Sequence, residues 1–221
     1  MKLEAVCFDI DGTLYPKWQT TLHLTSSLFP SPLLALKYHK FRRSVRRYPL
    51  DAHNREEFQE KQAALLGAPP EKIEKQFYAK WRTTFTKIRV YPQVRETFEW
   101  LKSLGLKVAV LSDFPIEAKL ATLALDDLVD FALCSEESGY LKPHPKPFLD
   151  LSRALEVDPS ALLYVGDSYS KDIVGAKAVG MSTALLTPKR LGKKGGATFT
   201  FSDYNEFKRE FVNHFLKGEE L

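Results

Sequence analysis

From Tyr91 onward the chain alternates between amphipathic segments and short apolar runs, and that rhythm restricts the fold more than any other feature of its 221 residues. Residues 92–104 have helical periodicity and stop at Gly105, and residues 106–111 form an apolar run of strand length. The pairing then repeats. Helical segments over 115–125, 147–156 and 170–179 lead into strands over 131–134, 162–165 and 183–186. A last strand near 198–201 precedes a helix over 203–216, for which Asp203 is a suitable N-cap. At the N-terminus, Leu3 to Phe8 supplies one more buried strand, ending at Asp9-Ile10-Asp11-Gly12. Strands alternating with helices predict the α/β class, with a mostly parallel sheet covered on both faces.

Between the first strand and this alternation lies a stretch of different character. Leu34, Tyr38, Phe41, Val45 and Tyr48 recur at helical spacing, with Pro32 and Pro49 at the boundaries. Ile73, Phe77, Trp81, Phe85 and Ile88 mark a second helix, residues 54–66 a third closed by Gly67, and residues 18–29 a fourth. The expected organisation is a core from residues 1–15 and 90–221 and an all-helical unit over 16–89. The aromatic stripes read as that unit's own core. Residues 15–90 carry 15 Lys/Arg against 6 Asp/Glu, and the remainder 17 against 22. The cationic face holding Arg42, Arg43, Arg46 and Arg47 reads first as a solvated helix surface, and second as a means of drawing an anion to a cleft. It lacks aromatic interleaving and matches no nucleic-acid-binding module, so nucleic acid is not the expected partner. The basic stretch over 188–196 reads as a loop.

Cys7 and Cys134 both sit in apolar runs and are expected as reduced core residues. No run reaches the roughly 20 apolar residues of a membrane span, and the first strand starts almost at once with no signal peptide before it, so a cytoplasmic protein is expected.

In a parallel sheet, ligands collect at the carboxyl ends of the strands. Those ends offer Asp9 and Asp11, then Ser112 and Asp113, then Lys142 from the segment after the third strand, then Asp167 with Asp172 five residues on. Taken alone, Asp9-Ile10-Asp11-Gly12 is as compatible with a solvated turn as with a cation site. Convergence of four such groups on one sheet edge favours chemistry. Two carboxylates and a main-chain carbonyl suit a hard cation such as Mg²⁺. A lysine and a hydroxyl suit the oxygens of a phosphoryl group. One carboxylate can then act as nucleophile and another as proton carrier.

The ordered set Asp9-Ile10-Asp11-Gly12-Thr13-Leu14, Leu111-Ser112, Lys142-Pro143 and Gly166-Asp167-Ser168 with Asp172 closely resembles the haloacid dehalogenase-like hydrolase superfamily. The helical insertion after the first motif is similar to that family's cap, so the resemblance spans essentially the whole chain. It implies a Rossmann-like core with a small helical cap. Asp9 would be the nucleophile that forms an aspartyl-phosphate, and Asp11 the general acid/base. Ser112 and Lys142 would bind the phosphoryl group, and Asp9, the Asp11 carbonyl and Asp167 would hold Mg²⁺. Asp172, Gly12, Thr13 and Asp113 would support them, Asp172 through the metal shell or Lys142. Two positions depart from the family pattern: Asp113 stands where Asn is frequent, and His144 interrupts Pro143-His144-Pro145. His144 is read as structural. The resemblance implies a Mg²⁺-dependent phosphatase acting on a small phosphate monoester. A sugar-phosphate mutase is the alternative within the family, and a non-catalytic binding protein the alternative outside it. The carboxylate of Asp11 argues against dehalogenation, and the sequence leaves monomer and homodimer open.

Overall fold

The computed structural model describes residues 2–24, 31–85, 88–116, 119–188 and 196–216. Six strands form one sheet: β1 (Ala5–Phe8), β2 (Lys107–Ser112), β3 (Phe131–Cys134), β4 (Leu162–Gly166), β5 (Ser182–Leu186) and β6 (Phe199–Phe201). Their order is β3-β2-β1-β4-β5-β6, and every neighbouring pair is parallel. β1 is therefore central, and the strand order reverses direction on either side of it, which opens a crevice at the carboxyl ends of β1, β2 and β4.

A parallel sheet buries both faces, so alternate side chains of one strand feed two separate cores. Val6, Phe8, Val108, Val110 and Val165 pack on one face with Phe98 of α6 (Val94–Ser103) and Phe207 of α10 (Tyr204–Phe211). Cys7, Ala109, Leu111, Leu162 and Tyr164 pack on the other with Phe148 and Leu151 of α8 (Pro145–Leu155) and Ala176 of α9 (Val174–Ala178). Cys7 and Cys134 are both buried free thiols.

The segment between β1 and β2 folds as α1 (Lys17–Leu24), α2 (Pro32–Ser44), α3 (Arg55–Leu66), and α4 (Pro70–Ile73), which continues through a π turn at Glu74–Tyr78 into α5 (Ala79–Phe85). Asn54 caps α3 by accepting from Glu57 N–H at 3.0 Å, and Gly67 closes it at φ 61°. The aromatic stripes make a third core of their own, in which Tyr38 stacks on Phe77 at 4.0 Å and Phe41 meets Phe58. Leu141 is the one buried member of that cluster contributed by the later part of the chain.

The helix expected over 115–125 is shorter. Residues 117–118 lie outside the described residues, and α7 spans only Lys119–Thr122. Its end is a left-handed cap at Ala124 (φ 53°), with the Leu125 N–H donating to the Leu120 carbonyl at 3.0 Å. That position usually carries glycine. With alanine there, the sequence offers no stop signal. Of the helix expected over 18–29, residues 25–29 lie outside the described residues, as do 189–195 of the basic stretch. No described helix is long and apolar enough to cross a membrane.

Candidate active site

Phe8 is in register with Val110 and Val165, so Asp9, Ser112 and Asp167 leave the sheet at the same edge. Asp9 remains tied to the sheet by its own N–H, which donates to the Val165 carbonyl at 2.8 Å. Its carboxylate is buried, accepting from Lys142 Nζ at 2.7 Å on Oδ1 and from the Thr13 hydroxyl at 2.8 Å on Oδ2. Lys142 is itself 2% exposed and spends its three protons on Asp9, on Asp172 Oδ1 at 2.7 Å and on the Tyr164 hydroxyl at 3.1 Å. Asp172 completes its shell with the Ser168 N–H at 2.9 Å. Burial raises the Asp9 carboxyl to about 6; the Lys142 ammonium opposes that shift, and the Asp172 and Asp11 carboxylates add to it.

Asp11 faces a separate set of partners. Its carboxylate accepts from the Ser112 hydroxyl at 2.8 Å, from Lys119 Nζ at 2.8 and 3.1 Å and from the Tyr15 hydroxyl. Lys119 also donates to Ser112 Oγ at 2.9 Å and lies 5.2 Å from the centre of the Trp81 ring. Burial pushes the Asp11 carboxyl up, but Lys119, Tyr15 and Ser112 together bring it below its ordinary value. Sequence reasoning missed Lys119. The available signal is a lysine seven residues beyond Ser112, early in the helix expected from residue 115.

The turn that follows these carboxylates depends on a missing side chain. Gly12 has φ +105°, and a Cβ there would come within 2.7 Å of Asp167 Oδ2. Gly166 serves the same end on β4, where a Cβ would meet that of Asp172 at 2.3 Å. Between these glycines, oxygens of Asp9, Asp167 and Asp172 lie within 4.8 Å of one another. Carboxylates crowded this closely suit a hard divalent cation, with Asp172 already engaged by Lys142 and the Ser168 N–H. The Lys17 ammonium now pairs with Asp167, which shows that this spot accepts positive charge. Burial still raises the Asp167 carboxyl, with the Asp9 charge adding to the shift and Lys17 opposing it.

The basic face of α2 is not the solvated surface that its composition suggests. Arg42 is buried, pairing with Glu136 and donating to the Asp113 carbonyl, with its guanidinium 4.4 Å from the Phe114 ring centre. Arg46 pairs with Asp113 Oδ2 at 2.6 Å and donates to the Lys142 carbonyl. Asp113 also accepts the Lys142 N–H at 3.2 Å, so the acidic side chain at this position ties the helical layer to the lysine segment. Glu136 is fully buried and takes the Tyr78 hydroxyl at 3.0 Å as well. Arg43 and Arg47 are the exposed members of the face. His144 does not face the carboxylates. It stacks on Tyr140 at 3.9 Å and accepts the Lys146 N–H at 3.2 Å to start α8.

The two layers enclose a cavity of about 730 Å³, with Asp9, Asp11, Asp167 and Lys142 on one side and residues of α2 on the other. Gly12 and Thr13 are buried beside Asp9 and do not line it, and Ser112 is buried behind Asp11.

Comparison with known proteins agrees with this arrangement. The family model for haloacid dehalogenase-like hydrolases matches residues 3–180. A glyceraldehyde 3-phosphate phosphatase of Methanopyrus kandleri is 30% identical over 198 residues, covering 83% of this chain and 84% of that one. A ribulose-1,5-bisphosphate 5-phosphatase of Halopiger xanaduensis is 33% identical over 203 residues, covering 83% and 84%. Among solved structures, a 2-haloacid dehalogenase from Pseudomonas syringae superposes with a TM-score of 0.65 over 96% of this chain and 99% of that one, at 23% identity, a likeness of fold. The chain therefore belongs to the haloacid dehalogenase-like hydrolase family.

Proposed function

We propose that this chain is a phosphatase that hydrolyses a small phosphate monoester by way of an aspartyl-phosphate on Asp9, beneath a cap formed by residues 16–89. The observation that carries this reading is the division of labour between two carboxylates two residues apart. Asp9 is held by Lys142 and Thr13, and Asp11 by Lys119, Ser112 and Tyr15. Like charges kept on separate cations can take separate roles.

An Asp9 carboxylate oxygen attacks phosphorus as the bond to the ester oxygen breaks, and the leaving oxygen takes a proton from Asp11, which must first be protonated against the pull of Lys119. In the second half, water attacks the aspartyl-phosphate and gives its proton to Asp11, now in the ionised form that Lys119 favours. Phosphate leaves, and the Asp9 carboxylate is restored. Lys142 neutralises charge on the nucleophile and on the phosphoryl oxygens, and the Ser112 hydroxyl, buried behind Asp11, holds that carboxylate in place. Asp9, Asp167 and the Asp11 main-chain carbonyl would hold Mg²⁺, with Asp172 keeping Lys142 in place. The cation, when bound, supplies positive charge that draws the phosphoryl group to the nucleophile.

The test is phosphate release from an aryl phosphate. We expect turnover that needs Mg²⁺ and falls by about a thousandfold or more in Asp9→Asn. Turnover indifferent to chelation, or surviving that substitution, overturns the mechanism. Isomerised sugar phosphate in place of free phosphate would make the chain a mutase instead.

A further inference from the structure

Three of the cations around the carboxylates have acidic partners: Lys142 has Asp9 and Asp172, Lys119 has Asp11, and Lys17 has Asp167. A second cationic group in the same cavity is not balanced. Arg46 has Asp113, but Arg43, beside it on the helical side, and Lys171, in the turn that follows β4 on the sheet side, have no hydrogen bond or ion pair among the described residues. Arg47 lines it too and has only the ring of its neighbour Tyr48, at 5.4 Å. Lys171 is half-buried; Arg46 is the like charge that acts on it most strongly, and the Asp113 carboxylate, already paired with Arg46, offsets that repulsion in part. Unpaired cations held together in a concavity cost energy unless an anion joins them, and the low-dielectric walls strengthen that attraction.

We propose that Arg43, Arg46 and Lys171 bind a second anionic group, a carboxylate or a phosphate, on the same small molecule whose phosphoryl group meets Asp9. The substrate class is then a phosphate monoester with an anionic tail. This rests on the phosphatase reading for the first group and on the unbalanced cations for the second. Arginine offers a fork of donors that matches either oxyanion, and Lys171 adds a point charge. Asp9, Arg43, Arg46 and Lys171 line one cavity, so a single ligand can reach from the nucleophile to these cations.

The experiment uses the wild-type chain with Mg²⁺ and phosphonates, whose carbon–phosphorus bond this chemistry does not break. Calorimetry compares propylphosphonate, 3-phosphonopropionate and propane-1,3-diphosphonate, a neutral-tailed ligand and two anionic-tailed ones. At least one of the anionic-tailed ligands should bind about tenfold or more tightly than propylphosphonate. Which of the two it is tells carboxylate from phosphate. The preference should shrink with added salt and be largely lost in Arg43→Gln and in Lys171→Gln. Equal affinities across the series, absence of binding by both anionic-tailed ligands, or a preference that survives both substitutions overturns the proposal. A preserved preference in a protein that releases no phosphate from propyl phosphate counts against the hydrolytic reading and supports the anion site.

Discussion

The two walls of the cavity use the same ingredients, buried carboxylates and cations, but they are put in place by different means. On the sheet side, each charged group follows a strand end or its adjoining loop, and parallel register alone brings Asp9, Ser112 and Asp167 to one edge. On the helical side, Arg42 and Arg46 reach across to Glu136 and Asp113, partners that lie in other layers of the fold. The sheet side is positioned by topology and the helical side by docking. Topology survives many substitutions, whereas docking through buried ion pairs fails when one partner is removed, because the other is left without solvent or counter-charge.

The largest effect should come from the centre of the topological side. Lys142→Ala removes three hydrogen bonds at once and leaves Asp9 buried beside Asp172 with no cation between them. Breaking a buried pair in this way costs about 3–5 kcal/mol, and phosphate release should be lost with it. Without Lys142, Asp9 holds a proton more readily, so the deficit in urea-unfolding free energy should narrow as pH falls from 7 towards 5. A variant that keeps wild-type stability would show that the sheet edge tolerates unpaired carboxylates and would erase the contrast with the docked side.

Arg42→Met probes the docked wall. It strands Glu136, which is fully buried, with only the Tyr78 hydroxyl and the more distant Arg55 (4.0 Å) beside it. A loss of about 3 kcal/mol is expected from the single change. The double variant Arg42→Met with Glu136→Leu should recover most of that stability, since an apolar pair of similar size removes the stranded charge. If the double variant is no better than the single, the docking is not electrostatic in origin.

Asp113→Asn is milder, because the amide can still accept the Lys142 N–H while losing the charge opposite Arg46. About 1–2 kcal/mol is expected. Burial alone would raise the Asp113 carboxyl, but Arg46, Lys142 and Arg42 hold it well below the carboxylate range. A depressed folded-state pKa contributes stability that is complete above the unfolded value of about 3.9, and that contribution is lost as pH falls through the lower folded value. The gap between wild type and Asp113→Asn should thus stay flat from pH 7 to 5 and shrink below about pH 4. A gap that is unchanged at pH 3 would mean that Asp113 acts through shape rather than charge.

How much of each wall can be read from the sequence follows from the same difference. The alternation of apolar runs and helices determines where strands end, so Asp9, Asp11, Ser112 and Asp167 could be named as neighbours before any coordinates. The inward reach of Arg42 and Arg46 could not. Both sit on a face whose other members, Arg43 and Arg47, stay exposed, and nothing at α2 refers to Glu136, 94 positions later. Lys119 was hidden for a related reason. It completes the Asp11 environment from a one-turn helix whose stop, at Ala124, lacks the glycine that would have marked it. Periodicity reports which face of an element is buried, not which charged partner it will meet there.

The smallest expected effect asks whether the two walls unfold together. Asn54 caps α3 in the helical layer, accepting the Glu57 N–H at 3.0 Å, and Asp203 caps α10 on the sheet, accepting the Glu206 N–H at 2.9 Å. Each cap replaced by alanine should cost about 1 kcal/mol, because the bond lost is the same in kind. If the buried ion pairs of Arg42 and Arg46 join the layers into one cooperative unit, both substitutions lower the midpoint of a single urea transition by similar amounts. Amide exchange should then rise about fivefold in both layers for either variant, as a global opening requires. If the helical layer instead opens alone, Asn54→Ala raises exchange only in α3 and its neighbours and leaves the sheet untouched. That outcome would make docking a local bond between two independently stable parts. We expect the single transition, since separating the layers would expose the fully buried Glu136 together with its cation.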